Sequence, residues 1–82
     1  MKILIVDDNA TNRMVLDAFL DDYMDSNDGI KFEVDMAKDG LEAVNMAKKS
    51  TYNIVFMDIN MPVMDGIEAS RIIRSKDSKV MI

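Results

Sequence analysis

Apolar positions along this chain come in two textures. Short unbroken runs rich in β-branched residues, Ile3-Leu4-Ile5-Val6 and Ile54-Val55-Phe56-Met57, read as strands over 2–6 and 53–57 that are buried on both faces. Phe32, Val34 and Met36 instead alternate with Lys31, Glu33 and Asp35, the pattern of a half-buried strand at a sheet edge. Val80-Met81-Ile82 starts a fourth strand. Between the strands the spacing turns helical. Met14, Val15, Ala18, Phe19 and Tyr23 form the predicted inner face of a first helix, with Asp17, Asp21 and Asp22 outside it. Asn9 or Thr11 can cap this helix, and Ser26-Asn27-Asp28-Gly29 ends it. Asp39-Gly40 opens a second helix with Leu41, Val44 and Ala47 or Lys48 inward, closed by Ser50-Thr51. Asp65 caps a third, in which Ile67, Ile72 and Ile73 face inward and Glu68, Arg71 and Arg74 outward, before a turn at Asp77-Ser78.

The resulting order, β-α-β-α-β-α-β, implies parallel strands joined by right-handed helical crossovers. No internal repeat, linker or low-complexity segment interrupts it, and 82 residues make one small domain. The final three-residue apolar stub reads as the N-terminal part of a longer domain, residues 1–82 of a single unit. A further helix would then cover the sheet on the side of the first helix. Left uncovered, that face and a strand edge invite self-association or strand exchange.

Composition narrows the chemistry. The chain is 49% hydrophobic and 30% charged, too apolar for disorder. With no cysteine and no histidine, it has no disulfide frame, thiolate or imidazole ligand, or phosphohistidine of its own. The net charge of −5 comes without a basic stripe, so nucleic-acid binding by this segment is not expected. Lys2 and the apolar run after it end at Asp7 without a cleavage site. No run approaches a membrane span, and a cytoplasmic location is expected.

What remains is the placement of acids. The first run stops at Asp7-Asp8-Asn9, and the second at Asp58, followed by Ile59-Asn60-Met61-Pro62 and Asp65-Gly66. Open α/β sheets bind ligands outside the carboxyl ends of their strands, and neighbouring strands lie about 4.8 Å apart. Asp7, Asp8 and Asp58 would therefore converge and repel one another unless a cation or proton intervened. Either acidic stretch alone is most often solvated loop. The joint pattern, with Pro62 and Gly66 beside it, is not. Asp39 and Asp65 are better read as helix caps than as ligands. The nine methionines are adaptable core filler, with Met61 and Met64 candidates for a partner surface.

Three stretches together resemble the receiver domain of two-component response regulators: Ile3-Leu4-Ile5-Val6-Asp7-Asp8-Asn9, Asp39-Gly40-Leu41-Glu42-Ala43, and Met57-Asp58-Ile59-Asn60-Met61-Pro62-Val63-Met64-Asp65-Gly66. The stretch Asp8-Asn9-Ala10-Thr11-Asn12-Arg13 is similar to receivers attached to hybrid sensor kinases. The resemblance implies a flavodoxin-like, doubly wound parallel sheet of order 2-1-3-4-5, of which 2-1-3-4 falls within this chain. It implies Asp58 as phosphoacceptor, taking a phosphoryl group from a phosphohistidine on a histidine kinase or phosphotransfer protein. It also implies Mg²⁺ held by Asp8, Asp58 and the backbone carbonyl of Asn60, with Asp7 acting through a bound water. Such a module phosphorylates and dephosphorylates itself at most and is not a turnover enzyme. The family's further phosphoryl contacts, a Ser or Thr after the fourth strand and a Lys after the fifth, have no counterpart before Ile82. Two other readings compete. One is a non-catalytic assembly fragment completed by exchanged strands or helices. The other is a phosphohydrolase of the haloacid-dehalogenase type, which needs a second acid two residues after its nucleophile. Here Asn9 follows Asp7 and Asn60 follows Asp58 at that spacing.

Overall fold

A computed structural model describes residues 1–27, 29–59, 61, 64–77 and 79–82. The order is β1 (Lys2–Val6), α1 (Ala10–Ser26), β2 (Glu33–Ala37), α2 (Gly40–Lys49), β3 (Ile54–Met57) and α3 (Gly66–Lys76). The sheet has the order β2-β1-β3, all parallel, so the alternating strand lies at an edge and β1, with Ile3 to Val6 all buried, lies in the middle. β3, the most apolar run and expected to be buried on both faces, is instead open on the α1 side at Phe56, which is 38% exposed. Residues 80–82 contribute one parallel bridge, Met81 to Ile54, on the far side of β3. The expected order puts its fourth strand at this edge, where the described residues form only that isolated bridge.

Each helix starts on the cap its sequence offers. Asn9, Asp39 and Asp65 accept hydrogen bonds from the amides of Asn12, Glu42 and Glu68, each satisfying one orphan donor of a first turn. Glu42 reaches back to the Lys38 amide at 3.2 Å. Lys48 and Lys49 close α2, and Arg74 and Lys76 close α3, with the sign that the helix dipole favours. After α1, Gly29 takes φ 86°, a left-handed turn that a side chain would resist.

Side chains of β1 alternate between two unequal cores. Leu4 and Val6 join Ala37, Ala43, Val44, Tyr52, Val55, Ala69, Ile73 and Val80 beneath α2 and α3. Among the described residues, Ile3 and Ile5 are joined by a single other buried side chain, Leu20 of α1, with Leu16, Phe32, Val34, Met36 and Ile54 half-covered around them.

Several expected faces are corrected here. Of the α1 residues predicted inward, Met14 is 68% exposed, Val15 63% and Phe19 71%, and Ala18 is exposed too. Leu16 and Leu20, one turn apart, pack on the sheet instead. The helix carries apolar residues around much of its circumference, so periodicity did not select a face. Tyr23 stacks on Phe32, ring centroids 6.0 Å apart. Leu41 and Ile67 are likewise exposed. Ala43 and Ala69 are buried in their place, because α2 and α3 approach each other closely. Gly40 is part of this contact: a Cβ there would press on Ala69 and the Met64 backbone. Met61 and Met64 are half-buried and pack against the larger core.

Candidate functional site

The β1–β3 register ends at Val6 opposite Met57, and the next amide, that of Asp58, donates to the Val6 carbonyl at 2.9 Å. The two strands therefore finish flush, and the residues that follow them emerge side by side. Asp7, Asp8 and Asp58 each present a carboxylate oxygen, and the three oxygens lie within 4.8 Å of one another. Asp7 and Asp58 are half-buried and Asp8 is exposed. A hollow of about 270 Å³ beside them is lined by Asp7, Asn12, Leu16, Phe56 and Asp58.

The backbone around these acids is held from several directions. The Asp7 amide donates to the Ala37 carbonyl of β2 at 3.2 Å. One Asp7 carboxylate oxygen accepts from the Asn9 amide at 2.9 Å, and the Arg13 guanidinium donates to the Asp7 carbonyl at 2.6 Å. Beyond Asp58 the chain turns back so that the Gly66 amide donates to the Ile59 carbonyl at 3.0 Å. A side chain at 66 would collide with the Asp58 carbonyl and the Ile59 Cα. Glycine is required here for close approach of two backbone segments.

The structure thus brings Asp7, Asp8 and Asp58 together. Asn60, with its expected carbonyl ligand, and Pro62 lie outside the described residues. Asp39 and Asp65 serve as caps, as expected. The role of Arg13 toward the Asp7 backbone was not foreseen. A bond from a side chain to a main-chain carbonyl six residues earlier leaves no mark in residue pattern. A pair outside the site was missed for a similar reason. The Tyr52 hydroxyl donates to the Asp35 carboxylate at 2.6 Å, and burial, reinforced by that carboxylate, pushes the phenol's pKa up. Three hard carboxylate oxygens, partly open to water and without a nitrogen or sulfur donor, suit a small oxygen-seeking divalent cation that keeps several waters, as Mg²⁺ does. No helix among the described residues is long and apolar enough to cross a membrane.

Fold and acid placement together define a flavodoxin-like α/β domain with its site at the carboxyl ends of adjacent strands. The family model of the response regulator receiver domain matches residues 3–82, and the chain belongs to that family. Among its relatives, hybrid signal transduction histidine kinase F of Dictyostelium discoideum is 42% identical over 76 residues, 93% of this chain and 6% of that protein. The receiver domain of sensor histidine kinase PA1611 from Pseudomonas aeruginosa, solved with magnesium coordinated in its active-site cleft, superposes with a TM-score of 0.78 at 34% identity, covering 93% of this chain and 57% of that one. The receiver domain of Ssk1 from Saccharomyces cerevisiae, solved with the histidine phosphotransfer protein Ypd1, gives a TM-score of 0.79 at 37% identity, covering 95% of this chain and 49% of the other. The chain therefore spans about half the length of these solved relatives and a small part of the multidomain one.

Proposed function

We propose that this chain is a phosphoacceptor receiver and that Asp58 is the residue phosphorylated. One observation carries the reading: three carboxylates from the ends of two adjacent parallel strands share one small volume in a member of the receiver family. An Asp58 carboxylate oxygen would attack phosphorus. A P–O bond forms, and the P–N bond of a donor phosphohistidine breaks. The electron pair leaves with the imidazole nitrogen, which is then protonated. The donor histidine lies outside these 82 residues, which contain none. The donor would be a histidine kinase or phosphotransfer protein, of the kind seen with the yeast relative, and the reaction would take place in the cytoplasm.

Asp8, Asp58 and the Asn60 carbonyl would hold Mg²⁺, with Asp7 acting through a water. When bound, the ion neutralises charge on the acids and on the phosphoryl oxygens. The protein's own contribution is position: the flush strand ends fix Asp58 beside Asp7 and Asp8, and the Gly66 contact fixes the backbone behind it. Incubation with phosphoramidate and Mg²⁺ should give a hydroxylamine-labile phosphate on the wild-type chain and none on Asp58→Asn. Equal labelling of the two would remove Asp58 from this role.

A second reading, self-association with another copy of this chain, is favoured by one observation. Met14, Val15, Phe19 and Phe56 form exposed apolar surface on the α1 side, where a second copy could bury it. Light scattering that shows a monomer across a wide concentration range would remove it.

A further inference from the structure

Arg13 sits one turn inside α1, and its Nη1 donates to the Asp7 carbonyl at 2.6 Å in a half-buried setting. That carbonyl belongs to the peptide joining Asp7 to Asp8, so its direction helps set where the Asp8 side chain leaves the backbone. The peptide lies past the last register pairs of β1, Val6↔Ala37 and Val6↔Met57. Arg13 also closes a small ring of bonds. Its own amide donates to the Asn9 carbonyl at 3.2 Å, and the Asn9 amide donates to the Asp7 carboxylate at 2.9 Å. The first turn of α1 and the acid pair are thereby joined through both main chain and side chain.

Resting on the reading of Asp7, Asp8 and Asp58 as the Mg²⁺ and phosphoacceptor site, we propose that Arg13 is a positioning residue for that site, holding the Asp7–Asp8 peptide so that Asp8 can bind the cation. Two effects oppose each other. The guanidinium charge disfavours a cation nearby, whereas its hydrogen bond aligns a ligand. The acids are partly open to water, where charge–charge terms are screened. The bond itself is short, charge-assisted and directional. Outer partners that orient a metal's ligands are worth 10–100-fold in affinity, so alignment outweighs repulsion.

The test is a Mg²⁺ titration followed by amide NMR on the whole chain as wild type, Arg13→Ala and Arg13→Lys. Arg13→Ala is expected to bind Mg²⁺ about tenfold more weakly, with Arg13→Lys in between. Without metal, the Asp8 amide resonance should move in Arg13→Ala, because its nitrogen shares the peptide that Arg13 holds. A folded Arg13→Ala that binds Mg²⁺ as tightly as wild type, or more tightly, overturns the proposal in favour of simple charge repulsion. If Arg13→Ala does not fold, Arg13→Lys decides. Weaker binding with a displaced Asp8 resonance supports the role, and wild-type behaviour in both overturns it. A wild-type chain that binds no Mg²⁺ sinks the metal reading itself, and the inference with it. That outcome is distinguishable because it appears without any substitution.

Discussion

The two faces of the sheet have been treated differently by the same chain. Beneath α2 and α3, small residues at the helix contact, Gly40, Ala43 and Ala69, let two helices close over Leu4, Val6 and Val55, and a continuous core results. Beneath α1 a single helix lies over Ile3 and Ile5 through Leu16 and Leu20, and Phe56 and Phe19 remain open to solvent. Both faces are apolar in sequence. The difference is the number of helices available to cover each, and it teaches that hydrophobicity identifies what could be buried while packing partners decide what is.

The largest expected effect lies in the closed core. Leu4→Ala removes a side chain with no exposed surface and should cost roughly 2–5 kcal/mol, a large share of the stability of 82 residues. Urea denaturation would show it as a lower midpoint at unchanged slope. A smaller loss, comparable with that at an exposed site, would mean the two faces are not as unequal as they look. Next comes Gly66→Ala, which forces the Asp58 and Ile59 backbone aside. It should cost about 1–3 kcal/mol and weaken Mg²⁺ binding with it, because the contact lies directly behind Asp58.

Tyr52→Phe should cost about 1 kcal/mol near neutral pH by removing the hydrogen bond to Asp35. Its pH dependence is more diagnostic. The phenol's folded pKa is raised above its ordinary value of about 10, so folding favours the protonated form. The stability this provides is complete below pH 10 and is lost as pH climbs from there toward the folded value. Alkaline denaturation of wild type should therefore be steeper than that of Tyr52→Phe, and parallel curves would refute the coupling. The smallest effect belongs to the open face. Phe19→Ser, at a side chain 71% exposed, should stay within about 0.5 kcal/mol. A loss of several times that would show that α1 is covered in solution.

Features set by local chemistry could be read from the sequence. The first three strands, the caps at Asp39 and Asp65, and the strand-end position of Asp7, Asp8 and Asp58 each depend on a few neighbouring residues and the parallel topology they imply. At α1 the sequence left Asn9 and Thr11 both open, and the structure selects Asn9. Features set by partners distant in sequence could not. The spacing of Met14, Val15 and Phe19 is as helical as that of Leu16 and Leu20, and only the position of the sheet separates them. Leu41 and Ile67 looked like core because they are large, but the α2–α3 contact selected alanine and glycine. Arg13 and Tyr52 found their partners through bonds that no periodicity records.

The flush ends of β1 and β3 carry one more consequence. Asp7 and Asp58 are separated in sequence by two helices and two strands, so the acid cluster does not exist until both crossovers have closed and the entropy of that long loop has been overcome. A cation captured there would bind only chains in which the longest-range pairing of the sheet is complete. It should therefore act as a kinetic latch, slowing loss of the β1–β3 ladder while leaving the fraying of α2 and of the C-terminal end of α1 untouched.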